Sequence, residues 1–286
     1  MLMKNQFFHA MKNLSDDEYL KLLCRAENEP VINGIQMPGF PDPETQKIMV
    51  GSAGGQTLSG EGRIFYDMVK KYAKNFNVPI NPNTTILDFG CGFGRMIRFY
   101  FKDIYEENIF GTDVMSDYIN ICKDTLHYGN YSVNNSIPPS NFSDNSFDII
   151  YAYSVFSHLS ADVAEQWIKE FSRILKPNGL IIATTWGEGF FDYCKMLEDD
   201  PSLAISDWHK AIRGAFSPIE EYRLRYRNGE FLFAHTTDGD VLESSFYGEA
   251  VIPEKHVKNV FGKHLKFKAF SFNPAELPQA VFVLQK

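Results

Sequence analysis

Apolar and polar positions along this chain switch between two periods, and the switches mark its elements. Residues 14–25, LSDDEYLKLLCR, predict a short helix opened by Ser15 with acids in its first turn. From Glu61 to Phe76, the residues Ile64, Phe65, Met68, Val69 and Tyr72 recur at helical spacing. The run TTILDF, bounded by turn residues, predicts a buried strand, followed by a glycine turn and a helix carrying Met96, Ile97, Phe99, Tyr100 and Phe101. NIFGTD predicts a second strand ending in Asp113, MSDYINICKDTLHY a helix, YSVNN a third strand and FDIIYAYSVF a fourth. Ser160 then caps a helix with Val163, Trp167, Ile168, Phe171, Ile174 and Leu175 on one face; KPNG stops it, and LIIATTW is a fifth strand. After a helix around Glu254 to Phe261, LKFKAFSF and AVFVLQK read as closing strands. Strands alternating with helices in this order predict an α/β fold with a doubly wound, mostly parallel sheet.

Two stretches break the rhythm. Residues 1–60 form an N-terminal extension whose part after Asn28 carries prolines and a glycine-rich SAGG, yet keeps Ile32, Ile35, Met37, Phe40, Ile48, Met49 and Val50. A disordered linker carries fewer large apolar side chains, so this extension is expected to pack on the domain spanning 61–286. Residues 188–243 read as an insertion, with DYCKMLEDDPSLAISDWHKAIRGAF helical and RNGEFLFAHTTDGD a hairpin or loop. Insertions of this kind often shape the acceptor side of a site.

Composition narrows the class. The chain has 286 residues, 44% of them hydrophobic, and a formal net charge of −8, which argues against broad nucleic-acid binding. The cysteines Cys24, Cys91, Cys122 and Cys194 form no C-x-x-C pair and no cluster at metal-ligand spacing, so neither a disulfide framework nor a metal site is expected. The opening MLMKNQFFHAMKNLSDDEYL lacks the apolar core of a signal peptide, and no run approaches the roughly 20 apolar residues of a membrane span. A cytoplasmic protein without stable membrane insertion is the expectation.

The stretch ILDFGCGFGR, residues 86–95, carries the chemistry. Gly90, Gly92 and Gly94 let the backbone turn sharply and approach a ligand at the carboxyl end of a parallel strand, with the N–H groups opening the next helix facing it. Asp113, at the end of the following strand, suits the two hydroxyls of a ribose, its alternative being a turn residue or helix cap before Met115. A dinucleotide fingerprint places a third glycine at position 95, where this chain has Arg95, and lacks an acid such as Asp88 two residues before the first glycine. A carboxylate there suits a ligand with a positive amino-acid part, which points from NAD toward S-adenosylmethionine.

ILDFGCGFGR, GTDVMSDYI, PPSNFSDNSFD, FDIIYAYSVFSHL and LKPNGLIIATT together resemble the successive motifs of the Rossmann-like, class I S-adenosylmethionine-dependent methyltransferases, over about residues 84–186. MPGFPDPETQKIMVGSAGG and LPQAVFVLQK also resemble a bacterial subgroup that accompanies glycosyltransferases in surface-polysaccharide pathways. The resemblance implies a Rossmann-like sheet with an antiparallel C-terminal edge strand. It implies that Asp88, Gly90, Cys91, Gly92 and Gly94 lie along the methionine part of the cofactor and that Asp113 holds the ribose. Val114 would lie against the adenine, Asn135 would replace the acid the family often has near the adenine amino group, and Tyr153 and Ser154 would face the methyl group.

Methyl transfer to a hydroxyl needs an acceptor held in line and a base for its proton. His158 in YSVFSHLS is the first candidate for that base, its alternative being a packing or capping role; His235 in FLFAHTT is the second. Trp186, Phe190 and Phe191 either wall an acceptor pocket or pack in the core, Cys91 also fits as a small side chain in a tight turn, and Asp144-Asn145 fits a turn. The run EKHVKNVFGKHLKFK would attract an anionic acceptor or serve as a solvated face. The leading expectation is O-methylation of a small-molecule or saccharide acceptor. A nicotinamide-dependent oxidoreductase or epimerase, or a non-catalytic cofactor-binding protein, are the alternatives.

Overall fold

Phe7, Phe8 and Met11 form the buried side of α1 (Gln6–Met11), the first element of a computed structural model that describes residues 5–51, 53–236 and 242–286. The chain divides into two compact units: Met1–Asn134 with Ser146–Tyr151, and Asn135–Asn145 with Ala152–Lys286.

In the first unit, α2 (Asp16–Arg25) opens on a complete capping box in which Ser15 and Glu18 satisfy each other's backbone N–H groups. β1 (Val31–Ile32) and β2 (Ile35–Gln36) pair through Asn33 and Gly34, both at positive φ (51° and 78°), the turn that matches strand twist. Asp42 caps α3 (Pro43–Val50), whose first residue is a proline that has no N–H to leave unsatisfied. The short α4 (Gly55–Thr57) leads through an irregular turn at Leu58–Gly62 into α5 (Arg63–Asn75). Then come β3 (Ile86–Phe89), β4 (Ile109–Asp113), α6 (Ser116–Leu126), β5 (Asn130–Val133) and β6 (Phe147–Ala152). These strands are parallel in the order β6-β3-β4-β5, and β3, at their centre, is buried at every position. The helix predicted through Met96 to Phe101 is instead a 3-10 helix, Ile97–Lys102, buried on all sides. Its aromatic run leaves no polar face for a regular amphipathic helix, and the tighter winding packs Phe99 and Tyr100 against Tyr66 of α5.

The N-terminal elements are tied to that 3-10 helix. Tyr19 O–H donates to the Arg98 carbonyl at 2.8 Å, and Lys102, 6% exposed, reaches Asp16 at 2.7 Å and Asp103 at 2.8 Å. Burial works against the Asp16 charge, but Lys102 and Lys70 outweigh it and hold the carboxyl at about 2.

In the second unit, α7 (Ala161–Ile174) leads directly into β7 (Leu175–Trp186), so KPNG lies inside the strand's first residues. Ser160 has the extended backbone of a cap, but its side chain makes no capping bond. α8 (Gly189–Asp199), α9 (Asp207–Ile212) and a further helix absent from the sequence reading, α10 (Ile219–Asn228), follow. β8 (Leu232–Ala234) pairs antiparallel with β9 (Glu249–Val251), which runs parallel to β7 at Trp186 and Val251. The end of the predicted hairpin, residues 237–241, lies outside the described residues. After α11 (Glu254–Asn259), β10 (Lys266–Ser271) and β11 (Gln279–Gln285) form an antiparallel edge on β7. The fold is the mostly parallel α/β sheet with an antiparallel C-terminal edge that the pattern predicted.

Phe190 and Phe191 belong to the core: with Cys194, Leu197, Ile212, Phe216 and Leu232 they form one buried cluster across 188–232. In α7, Trp167 is 1% exposed and its indole N–H donates to the Ser136 carbonyl at 3.2 Å. Trp167→Ala is expected to destabilise by about 3–5 kcal/mol and Trp167→Phe by about 1–2 kcal/mol, read from denaturant midpoints at constant slope.

Candidate functional site

The glycine turn closes on itself. Gly90 and Cys91 N–H both donate to the Thr112 carbonyl, at 2.8 and 2.9 Å, and Gly94 N–H donates to the Cys91 carbonyl at 2.8 Å. Gly92 N–H donates to Asp113 Oδ2 at 2.9 Å, while Asp113 Oδ1 accepts from Met115 N–H at 3.0 Å. Gly90, Gly92 and Gly94 all have positive φ, and a Cβ at Gly94 would collide with Leu126. Four N–H groups of the turn are therefore spent within the fold, and no α-helix follows them.

Asp88 sits beneath this turn, beside Tyr151 of β6 in register. It is 1% exposed, and neither its Oδ2 nor the Tyr151 hydroxyl has a hydrogen-bond partner among the described residues. Burial pushes the Asp88 carboxyl up to about 8; the nearby Tyr151 hydroxyl and Arg95 oppose the rise, and the Asp113 charge adds to it. A buried acceptor left unsatisfied by the fold is a place for a positive or donating ligand group. Burial also raises Asp113, against the pull of its bonds from Met115 and Gly92.

Cys91 is buried, and the Cys122 thiol beside it, with burial, pushes its own thiol well above the ordinary range, so it is not a reactive thiolate. Cys122 Sγ–H donates to the Gly92 carbonyl at 3.1 Å. Arg98 is fully buried, donates from Nε to the Gly94 carbonyl at 2.9 Å and lies 4.2 Å from the Phe40 ring centroid; burial lowers it to about 10. Val114 is half-buried beside Asp113, and Asn134 N–H donates to the Asp113 carbonyl at 2.9 Å. The first unit thus brings together Asp88, Gly90, Cys91, Gly92, Gly94, Asp113 and Val114.

In the second unit, Asn135 is exposed and its amide donates to the Pro139 carbonyl at 3.0 Å. Tyr153 and Ser154 are half-buried, and Ser154 is held at φ 59° by the Thr184 hydroxyl, which accepts its N–H at 2.7 Å. Gln279 Nε2 donates to Ser154 Oγ at 2.8 Å.

His158 is fixed on both sides of its backbone: Gly248 N–H donates to its carbonyl at 2.8 Å, and Ala250 N–H to that of Ser157 at 2.7 Å. Its Nδ1 lies 2.9 Å from the Gly248 carbonyl oxygen and 3.5 Å from Glu249 Oε1, and its ring stacks on Tyr247 at 5.2 Å. A carbonyl only accepts, so Nδ1 carries the hydrogen and Nε2 of the neutral ring keeps its lone pair. Glu249, 2% exposed, also accepts from Trp186 Nε1 at 2.5 Å and Trp208 Nε1 at 2.7 Å. Burial, with the charges of Glu249 and Glu198, pushes the Cys194 thiol up to about 12. The sequence reading missed Glu249 and Trp208; the signal was a lone acid in the strand-like run GEAVI.

His235 is exposed, with Nδ1 on the Ser244 carbonyl. Asp144 pairs with Arg173 at 2.6 Å, and Asn145 has φ 54°, as a turn requires. In the basic run, Lys258 pairs with Glu254 and His264 with Glu165, which neutralises part of its charge. Among the described residues no group of three or more His, Cys, Asp or Glu is placed to hold a metal ion, and no helix is long and apolar enough to cross a membrane.

Residues 87–183 match the family model described as a methyltransferase domain. Over 148 residues the chain is 25% identical to a phosphoethanolamine N-methyltransferase of Plasmodium falciparum, covering 51% of this chain and 53% of that one. Over 134 residues it is 25% identical to a 2-methyl-6-phytyl-1,4-hydroquinone methyltransferase of Synechocystis, covering 46% of this chain and 38% of that one. The chain spans about half or less of the length of these curated relatives. A solved S-adenosylmethionine-dependent methyltransferase of Clostridium acetobutylicum shares the fold at TM-score 0.52 and 12% identity, covering 85% of this chain and 96% of that one.

The Asp88 carboxyl carries a pH signature. Its folded value lies above the ordinary 3.8, so the stability it contributes is complete below about 4 and is lost as pH rises through about 8. Thermal melts between pH 6 and pH 9 are expected to show a decline in the unliganded chain that Asp88→Asn largely removes. An identical decline in both would mean that another group is responsible.

Proposed function

We propose that this chain transfers the methyl group of S-adenosylmethionine to a hydroxyl of a small-molecule or saccharide acceptor, with His158 taking the proton. The observation that carries the reading is the His158 ring, whose Nδ1 is held by the Gly248 carbonyl so that Nε2 is left to accept. Asp88 is assigned to the ammonium of the methionine part, where a cation supplies the partner its buried Oδ2 lacks. Gly90, Cys91, Gly92 and Gly94 shape the surface along it, and Asp113, which accepts from Gly92, Met115 and Val114 N–H, is assigned to the ribose hydroxyls. Val114 and Asn135 are assigned to the adenine, and Tyr153 and Ser154 to the methyl end. When bound, the cofactor supplies an electrophilic methyl carbon on a sulfonium. The protein's own part is to orient the acceptor oxygen and take its proton at His158 Nε2.

The likeness of MPGFPDPETQKIMVGSAGG and LPQAVFVLQK to the polysaccharide-associated subgroup supports a saccharide acceptor in the cytoplasm. The partly paired lysines of 254–268 support an anionic one, and the insertion at 188–243 is assigned to shaping the acceptor side. An amine acceptor is the second reading, favoured by the 25% identity to a phosphoethanolamine N-methyltransferase.

Calorimetry is expected to detect S-adenosylhomocysteine binding and none of NAD; the reverse result would overturn the reading. With labelled S-adenosylmethionine and a panel of sugars, sugar nucleotides and phosphoethanolamine, mass analysis of the product separates oxygen from nitrogen methylation. His158→Ala is expected to lower the transfer rate by about 10²-fold while S-adenosylhomocysteine affinity stays within about twofold.

A further inference from the structure

We propose that Glu249 is a positioning residue of the acceptor side: one buried carboxylate pins the Trp186 and Trp208 indoles and steers the His158 ring. The inference rests on the methyl-transfer reading above and adds a residue that the resemblance does not supply.

Three separate segments converge on this carboxylate. Trp186 ends β7 and donates to Oε2 at 2.5 Å, Trp208 belongs to α9 and donates to Oε1 at 2.7 Å, and His158 Nδ1 stands 3.5 Å from Oε1. An indole N–H only donates, and the two carboxylate oxygens give each indole an acceptor of its own. Glutamine would turn an NH2 toward one indole and leave two donors facing each other. Burying a carboxylate is costly, and an apolar side chain would fill the same space without that cost, so packing alone does not account for Glu249.

The backbone transmits the placement. The bonds of Gly248 and Ala250 to His158 and Ser157 flank Glu249, and Ser160 N–H donates to the Phe246 carbonyl at 2.8 Å. Carboxylate and imidazole are therefore laced into one strand-like frame. When Nε2 takes a proton, the ring becomes cationic with Glu249 beside it, so the charge formed there meets an opposite charge already in place. The same carboxylate fixes two indole edges. Trp186 stacks on Phe190 at 4.4 Å and on Trp208 at 6.3 Å, and Trp208 on Tyr193 at 5.9 Å, so the carboxylate holds the edge of one continuous aromatic stack beside the His158 ring.

The test uses the full chain with Glu249→Gln, Glu249→Asp and Trp208→Phe. In Glu249→Gln, the indole N–H signals of Trp186 and Trp208 and the His158 Nδ1–H signal are expected to move and to exchange faster with water. Its turnover in the labelled-methyl panel is expected to fall by about tenfold or more, while S-adenosylhomocysteine affinity stays within about twofold of wild type. Glu249→Asp, which restores the charge, is expected to recover part of the turnover. Trp208→Phe, which also decides the matter if Glu249→Gln does not fold, is expected to raise the acceptor KM severalfold. Unmoved indole and His158 signals, turnover equal to wild type, or an equal loss of cofactor affinity would each overturn the proposal. A wild-type chain that binds S-adenosylhomocysteine but transfers no label would overturn the methyl-transfer reading, and the indole and His158 spectra would then decide Glu249's place by themselves.

Discussion

The Asp113 carboxylate, tied to Gly92 N–H and Met115 N–H, holds the glycine turn in the shape on which the cofactor site depends. Without it, three residues at positive φ would have to hold an open loop against their own backbone entropy. With the Thr112 carbonyl taking Gly90 and Cys91, the turn becomes a closed hydrogen-bonded unit at the end of β4. Its N–H groups work inward. The turn therefore presents a hydrogen-bonded backbone surface, with the buried Asp88 in the strand before it.

Arg98 supports the same turn from below, and the chemistry of that support is unusual. Its guanidinium is fully buried, bonds Gly94 through Nε and leaves Nη1 and Nη2 without partners, with Phe40 against its face. A stacked aromatic ring compensates part of the lost solvation through its quadrupole, and burial still lowers the group to about 10. The segment carrying Phe40 is thereby tied to the strand end that carries the turn.

Asp88 and Glu249 are both nearly inaccessible, yet their surroundings are opposite. Asp88 has an oxygen without a hydrogen-bond partner among the described residues, and burial lifts its carboxyl to about 8. Glu249 has an indole donor on each oxygen. An unsatisfied buried acid is suited to receive a ligand, whereas a satisfied one is suited to hold protein groups still. That contrast separates a binding role from a positioning role.

Most of the fold was legible in the sequence because strands such as ILDF and helices such as 161–174 announce themselves by local periodicity. The glycine turn with its flanking Asp88, Arg95 and Asp113 was legible too, since local spacing fixes which residues share a strand end. Local pattern failed at 97–102, where complete burial overrode helical spacing, and at 219–228, where polar residues dominate a helix that contributes Ile219, Tyr222 and Tyr226 to a distant cluster. The lone acid in GEAVI marked Glu249, but its partners could not be read. Its partners at 158, 186 and 208 are far apart in sequence, and only the pairing of β9 with β7, and the lacing of 246–250 to 157–160, brings them to one carboxylate. The sequence by itself determined the glycine turn, because its constraints are conformational and local. The tertiary structure alone decided which buried acid is satisfied, because hydrogen-bond satisfaction depends on partners that the chain delivers from elsewhere.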